Sequence, residues 1–197
     1  MSASVPPLYP DLIVIRHGQT RWNLEGRWQG HRDSPLTPKG EAQARAMAGV
    51  LARAGITDRT HRAFVSPSGR ARATAGLLLG PNWTATPDDR LREIDVGRWE
   101  GWLVTDIIAE LGLPEDTPPL TLYENIQGGE TMTALRDRVR DFLATLDGPS
   151  LLVTHGITSR MIRTLATGRD LDRFEELPGG QGVVFRVKDG VHEALDA

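Results

Sequence analysis

The segment Leu12-Ile13-Val14-Ile15-Arg16-His17-Gly18 is a short apolar run that ends in a histidine and a glycine. Leu151-Leu152-Val153-Thr154-His155-Gly156 repeats the arrangement late in the chain. Unbroken runs of this length, rich in branched side chains, read as strands covered on both faces, the kind found in parallel sheets. Open parallel sheets bind ligands at the carboxyl ends of their strands. If these two strands are neighbours, His17 and His155 meet there although 138 positions separate them. The glycines let the backbone approach a ligand and turn its N–H groups towards an anion. One histidine at a strand end is ordinarily a hydrogen-bonded and inert residue. Two in matched contexts, one with an arginine beside it, point to chemistry.

Outward from these strands the pattern alternates. Thr37-Pro38 is a helix N-cap followed by proline in the first turn. Ala44, Met47, Leu51 and Ala54 continue at helical spacing until Gly55. Ala63-Phe64-Val65 reads as a strand and Arg70 to Leu79 as a helix. Thr131 to Leu146 reads as a helix with Leu135, Val139, Phe142 and Leu146 on one face. Ile157 to Ala166 is helical behind the second histidine. Val183-Val184-Phe185 and Val191 to Leu195 form a closing hairpin around Asp189-Gly190. Strands alternating with helices predict a three-layer α/β/α sandwich with a mainly parallel central sheet. Residues 1–197 are read as a single domain. Residues 99–130, including the proline-rich piece from Pro114 to Leu120, are the least regular stretch and the expected lid.

The bulk numbers narrow the classes. A chain of 197 residues suits one domain, large enough to bury roughly 70% of its unfolded surface. Hydrophobic residues at 39% and charged residues at 25% are the balance of a soluble globular protein. A net charge of -3 gives no reason to expect nucleic acid or an anionic membrane as partner. Cysteine is absent, which excludes disulfides, thiolate metal sites and a cysteine nucleophile. Met1 to Pro10 lacks the features of a signal peptide, and the apolar runs are too short for a membrane span, so a cytoplasmic location is expected. Arginine outnumbers lysine 21 to 2. Composition bias accounts for most of that, yet beside a reactive group the guanidinium fork suits phosphate better than an ammonium does.

Other chemistries lack their signatures. No HxxxH pair and no carboxylate at ligand spacing supports a metal centre. No G-x-S-x-G elbow and no P-loop pattern is present. Asp170-Leu171-Asp172 has the spacing of an aspartate nucleophile but follows Thr167-Gly168-Arg169 instead of an apolar strand.

The remaining residues resemble the histidine phosphatase superfamily, which includes cofactor-dependent phosphoglycerate mutases. Arg16-His17-Gly18-Gln19-Thr20-Arg21-Trp22-Asn23 is similar to its R-H-G signature with the following T-x-W-N. Gly30 to Leu36 and Gly40 resemble its G-x-x-D-x-x-L-T-x-x-G stretch. Ser66 to Ala75 resembles its S-x-x-x-R-A-x-x-T-A helix start. Leu91-Arg92-Glu93 with Gly97, Trp99, Glu100 and Gly101 resembles its L-x-E-x-x-x-G-x-W-E-G segment. Gly128-Gly129-Glu130 and Thr154-His155-Gly156 complete the set in order. Any one piece is weak; together and in order they are specific.

The resemblance implies roles. His17 is the expected nucleophile and carrier of a transient phosphoryl group. Arg16, Arg70 and His155 are expected to hold its non-bridging oxygens, helped by Asn23 and the Gly156 N–H. Thr20, Gln19 and Glu130 are further expected contacts of a small phosphorylated substrate, and no metal or cofactor is expected. Glu93 is the expected general acid and base, with Asp95 and Glu130 as nearby rivals. The physics agrees. A transferring phosphoryl group needs charge stabilisation and alignment. Guanidiniums beside His17 should lower its pKa and keep it a free base, as a nucleophile requires. A carboxyl group can give a proton in one half-reaction and take one in the next. Trp22, Trp28, Trp99 and Trp102 read as packing residues.

Two departures favour a phosphatase over a mutase. Gly156 stands where the superfamily's acid phosphatases and phytases carry an aspartate, which strengthens Glu93. Trp28-Gln29-Gly30-His31 and Gly97 to Gly101 resemble the small phosphatases, and the chain is shorter than mutases usually are. A mutase must shield its phosphohistidine from water, whereas a phosphatase must admit it. A non-catalytic phospho-ligand-binding domain is the third reading. The sequence sets neither the substrate nor the oligomeric state.

Overall fold

The computed structural model describes residues 9–195. Its first strand, β1 (Leu12–Arg16), leads through a short helix α1 (Arg21–Glu25) to the long helix α2 (Pro38–Arg53). There follow β2 (Arg62–Val65), α3 (Gly69–Leu78) and a short β3 (Ala85–Pro87). The chain then runs through α4 (Val104–Leu111), α5 (Pro119–Glu124) and α6 (Met132–Leu143) to β4 (Ser150–Thr154) and α7 (Gly156–Ala166). An antiparallel hairpin of β5 (Val184–Lys188) and β6 (Val191–Leu195) closes it.

The six strands stand in the order β3-β2-β4-β1-β5-β6. β1, β2, β3 and β4 are mutually parallel where they pair, and β5 and β6 are antiparallel. Alternate side chains of each strand enter opposite layers. Leu12 and Val14 join Leu135, Val139 and Phe142 of α6 and Met161 and Ile162 of α7. Ile13 and Ile15 join Met47 and Leu51 of α2 and Ala71 and Ala75 of α3. The chain is thus the expected α/β/α sandwich. It is covered on both faces, and each fully buried Leu or Ile supplies about 1.5–3 kcal/mol of transfer free energy.

The helix caps follow the sequence. Thr37 Oγ1 accepts from Gly40 N at 3.1 Å, and Thr131 Oγ1 from Ala134 N at 3.1 Å. α6 stops at Leu143, three residues short of the expected end, and Leu146 still packs against the core from the turn beyond. The stretch 99–130 is more regular than its prolines suggested. It contains α4 and α5, and Trp99, Ile107, Ile108 and Leu122 form a small core of their own. Pro119 sits in the first turn of α5, where its missing N–H costs nothing. Among the described residues no helix is long and apolar enough to cross a membrane.

Candidate active site

The register places the two histidines side by side. Arg16 pairs with Thr154, and the next backbone step is a hydrogen bond from His17 N to Thr154 O at 2.9 Å. The rings of His17 and His155 lie 5.2 Å apart, edge to face. β2, on the far side of β4, is followed directly by Ser66, whose Oγ is 2.7 Å from His155 Nε2. Three adjacent parallel strands therefore deliver His17, His155 and Ser66 to one edge of the sheet. The turn after β1 crosses the start of α2 backbone to backbone. A Cβ on Gly18 would lie 2.3 Å from Gly40 O, so neither glycine tolerates a side chain.

His17 is 2% exposed. Its Nδ1 lies 2.8 Å from Gly18 O, and since a carbonyl only accepts, the proton sits on Nδ1 and Nε2 is the unprotonated nitrogen. Arg70 Nε donates to that Nε2 at 3.2 Å. Burial first, then the Arg16 and Arg70 guanidiniums, hold the His17 pKa well below the ordinary histidine value, partly offset by the Gly18 hydrogen bond. His155 is lowered likewise by burial, then by Arg70, His17 and Arg16. Both rings are neutral at pH 7.

Arg70 comes from the first turn of α3 and is fixed from every side. Nη1 donates to Arg32 O at 2.6 Å and to Asp33 Oδ1 at 2.9 Å, and Nη2 donates to Gly30 O at 2.8 Å. Arg16 is the last residue of β1, and its buried Nε finds no partner among the described residues. Gly156 leaves room for it: a Cβ there would stand 3.3 Å from the Arg16 guanidinium carbon. Glu93 reaches the same place from another direction. Its Oε1 accepts from Thr158 N and Thr158 Oγ1, each at 3.1 Å, and Oε2 accepts from Ile157 N at 3.2 Å. The N-terminus of α7 therefore holds this carboxylate by its free N–H groups.

Arg16, His17, Asn23, Arg70, Glu93 and Tyr123 line a cavity of about 70 Å³, several times the room one water needs. Asn23 Oδ1 accepts from Thr20 N, Thr20 Oγ1 and Gln181 Nε2 at 2.9–3.1 Å, which leaves its amide N–H₂ as the free end. His155 packs on the His17 ring but is not itself part of this cavity's lining, and Thr20, Gln19 and Glu130 do not reach it. Thr20 is fully buried and caps α1. Gln19 Oε1 accepts from Thr37 Oγ1 at 2.9 Å, tying the turn to α2. Glu130 is paired with Arg138 at 2.6 Å and, with Asp95, borders a separate depression. Of the three carboxylates weighed for the acid, only Glu93 lines the cavity. Gly156 borders an adjoining space that shares Arg16, Glu93 and Tyr123.

Several residues went unassigned in the sequence. Asp33 anchors Arg70, and its place within the Gly30 to Leu36 segment was the available signal. Ser66 opens the helix-start segment and was legible in the same way. Tyr123, stacked on Trp28 at 4.5 Å, had no local signal at all.

The sequence model of the histidine phosphatase superfamily (branch 1) matches residues 12–189. A Salmonella paratyphi B protein named "Probable phosphoglycerate mutase GpmB" is 39% identical over 153 residues, 74% of this chain and 69% of its own. A solved Thermus thermophilus structure matches with a TM-score of 0.66 at 34% identity, over 89% of this chain and 92% of that one. The alpha-ribazole phosphatase of Shigella flexneri matches in fold with a TM-score of 0.78 at 24% identity, over 95% of this chain and 96% of that one.

Proposed function

Because this chain belongs to the histidine phosphatase superfamily, we propose that it is a phosphomonoesterase that hydrolyses a small phosphorylated metabolite through a phosphohistidine on His17. The observation that carries the reading is the unprotonated Nε2 of a buried neutral His17, with Arg70 Nε 3.2 Å away and His155 packed edge-on. His17 Nε2 forms a bond to phosphorus as the ester P–O bond breaks. The leaving oxygen takes a proton from the Glu93 carboxyl. A water then attacks phosphorus, gives its proton to Glu93, and the N–P bond breaks to release inorganic phosphate.

The non-bridging oxygens, which carry the charge, lie against Arg16, Arg70 and His155. His155 Nε2 lies 2.7 Å from Ser66 Oγ, and its Nδ1 has no partner among the described residues, so Nδ1 is the His155 atom left for a phosphoryl oxygen. Asn23 and the Gly156 N–H assist. Residues 99–130 act as the lid and specificity element, an assignment supported by Tyr123 entering the cavity wall from α5.

The named likeness to a probable phosphoglycerate mutase favours a second reading, in which the phosphoryl group returns to the substrate skeleton. One assay separates the two. Phosphate release from p-nitrophenyl phosphate and a small ester panel is measured with EDTA present, in wild type and His17→Ala. Release that EDTA leaves intact and His17→Ala abolishes is the expected result. A folded protein that releases nothing, yet interconverts phosphoglycerates when given bisphosphoglycerate, is a mutase.

A further inference from the structure

Beside the catalytic cavity lies a second of about 220 Å³, lined by Arg16, Ser159, Arg160, Arg163 and the backbone of Gly179 and Gly180. Gly156, Ser159, Arg160 and Arg163 recur at the three- and four-residue steps that place side chains on one helix face, and this face of α7 forms a wall of the cavity. At a rise of about 1.5 Å per residue, Arg160 and Arg163 stand roughly 6 Å and 10 Å along the helix beyond Gly156.

The donors here are in excess. Three guanidiniums line the cavity against one carboxylate, that of Glu93, and its oxygens are already taken by the α7 N–H groups and Thr158. Arg16 Nε, Ser159 Oγ and Arg160 Nε are buried and without partners among the described residues. Arg163 is the most telling. It is 1% exposed yet meets no acid among the described residues: Nε donates to Ser159 O at 3.2 Å, Nη1 to His192 Nε2 at 3.0 Å, and the guanidinium lies 3.9 Å from the Phe185 ring centre. Its Nη2 makes no hydrogen bond among the described residues. Burial, with Arg160 beside it, pushes Arg163 down to about 9, so it is still charged at pH 7. A buried cation without an acid is costly to keep unless something else pairs with it. Gly179 completes the arrangement, since a Cβ there would press to 3.0 Å on Arg160 Nη2.

We infer that this cavity is a subsite for a second anionic group of the substrate, a carboxylate or phosphate held by Arg163 and Arg160. The substrate class is therefore a phosphomonoester with a second acid group several bonds from the first. The two cavities share Arg16 and Glu93, so one molecule spans both. This inference rests on the phosphatase reading above and adds the substrate's far end to it.

The test compares esters that differ only in the second group. 6-Phosphogluconate is set against sorbitol 6-phosphate for the carboxylate, and fructose 1,6-bisphosphate against fructose 6-phosphate for the phosphate. In wild type the doubly anionic member of at least one pair should lead in kcat/KM by about tenfold or more, the scale of a charged hydrogen bond. Which pair shows the lead identifies the group. In Arg163→Met and, separately, Arg160→Met, that ratio should fall to near one. Arg160 is only partly buried, so its variant decides if Arg163→Met does not fold. No lead in either pair, or a lead that survives in a folded variant, overturns the subsite. If the protein hydrolyses none of these esters nor p-nitrophenyl phosphate, the phosphatase reading fails instead. The subsite is then judged by calorimetric binding of 6-phosphogluconate and sorbitol 6-phosphate to His17→Ala, where equal affinities overturn it.

Discussion

Replacing Arg70 by methionine keeps much of the side chain's bulk and removes a guanidinium that is 1% exposed and hydrogen-bonded through all three nitrogens. In the proposed reaction that group faces charge on the transferring phosphoryl oxygens. Losing one such preorganised donor costs about 10²–10³ in kcat, or roughly 3–4 kcal/mol. Stability changes on a similar scale. The carbonyls of Gly30 and Arg32 lose a donor, at about 1–3 kcal/mol each if left unpaired, but the burden of a buried charge goes too. The Asp33 carboxylate is 38% exposed, so its pair with Arg70 is screened and adds little. The variant also moves the pH profile. Burial is the largest cause of the low His17 pKa and remains, as does Arg16, while the contribution of Arg70 disappears. A nucleophile must be unprotonated, so the acid limb of kcat/KM shifts to higher pH, towards 6.5 without reaching it. Steady-state kinetics from pH 4.5 to 8 on p-nitrophenyl phosphate, with circular dichroism as the fold check, reads both effects. A folded Arg70→Met with kcat within about threefold of wild type would refute the role given to this residue.

Stability should fall on acidification. His17 and His155 bind a proton near 6.5 when unfolded and well below it when folded. Below 6.5 the unfolded chain therefore holds more protons, and folding weakens by about 1.4 kcal/mol per pH unit for each such ring; His61 and His192 are lowered too, so in urea unfolding at pH 7.5, 6.5 and 5.5 His155→Gln should remove one ring's share of the slope. Gly18→Ala sets a methyl 2.3 Å from a backbone oxygen and should cost more than about 3 kcal/mol or prevent folding; a melting temperature equal to wild type would show that the crossing is not tight. Glu93→Gln retains an acceptor for the α7 N–H groups yet cannot exchange a proton. It should slow alkyl phosphates by about 10²–10⁴ and p-nitrophenyl phosphate less, because nitrophenolate leaves unaided; equal losses on both would argue against Glu93 as the acid.

The sequence made the sheet legible because β1 and β4 carry apolar runs too short for a helix, each closed by a histidine and glycine. That they are neighbours was a condition the sequence left open, and the β1–β4 pairing meets it. The register that brings His17 against His155 was implicit in that pattern, as was Arg70 at the start of α3. β3 was not legible: three residues, Ala85, Thr86 and Pro87, have no periodicity to read. α4 had a readable signal in Val104, Ile107, Ile108 and Leu111 at helical spacing, which the prolines after it obscured. Glu130 was expected at the site because Gly128-Gly129-Glu130 resembles the family pattern, but its side-chain pairing with Arg138, eight residues on, cannot be seen in a linear motif. Tyr123 and Arg163 stand outside every motif read from the sequence. Only tertiary packing places them.

The central claim is a covalent phosphoryl group on His17. It is tested by mixing enzyme with an excess of p-nitrophenyl phosphate, whose leaving group needs no acid, quenching in alkali within the first turnovers, and mapping the digested protein by mass. The account predicts one phosphoryl increment, stable in base and labile in acid, on the peptide bearing His17, with Glu93→Gln accumulating more of it and His17→Ala none. Steady turnover without any such species in Glu93→Gln, or the same label in His17→Ala, would contradict it.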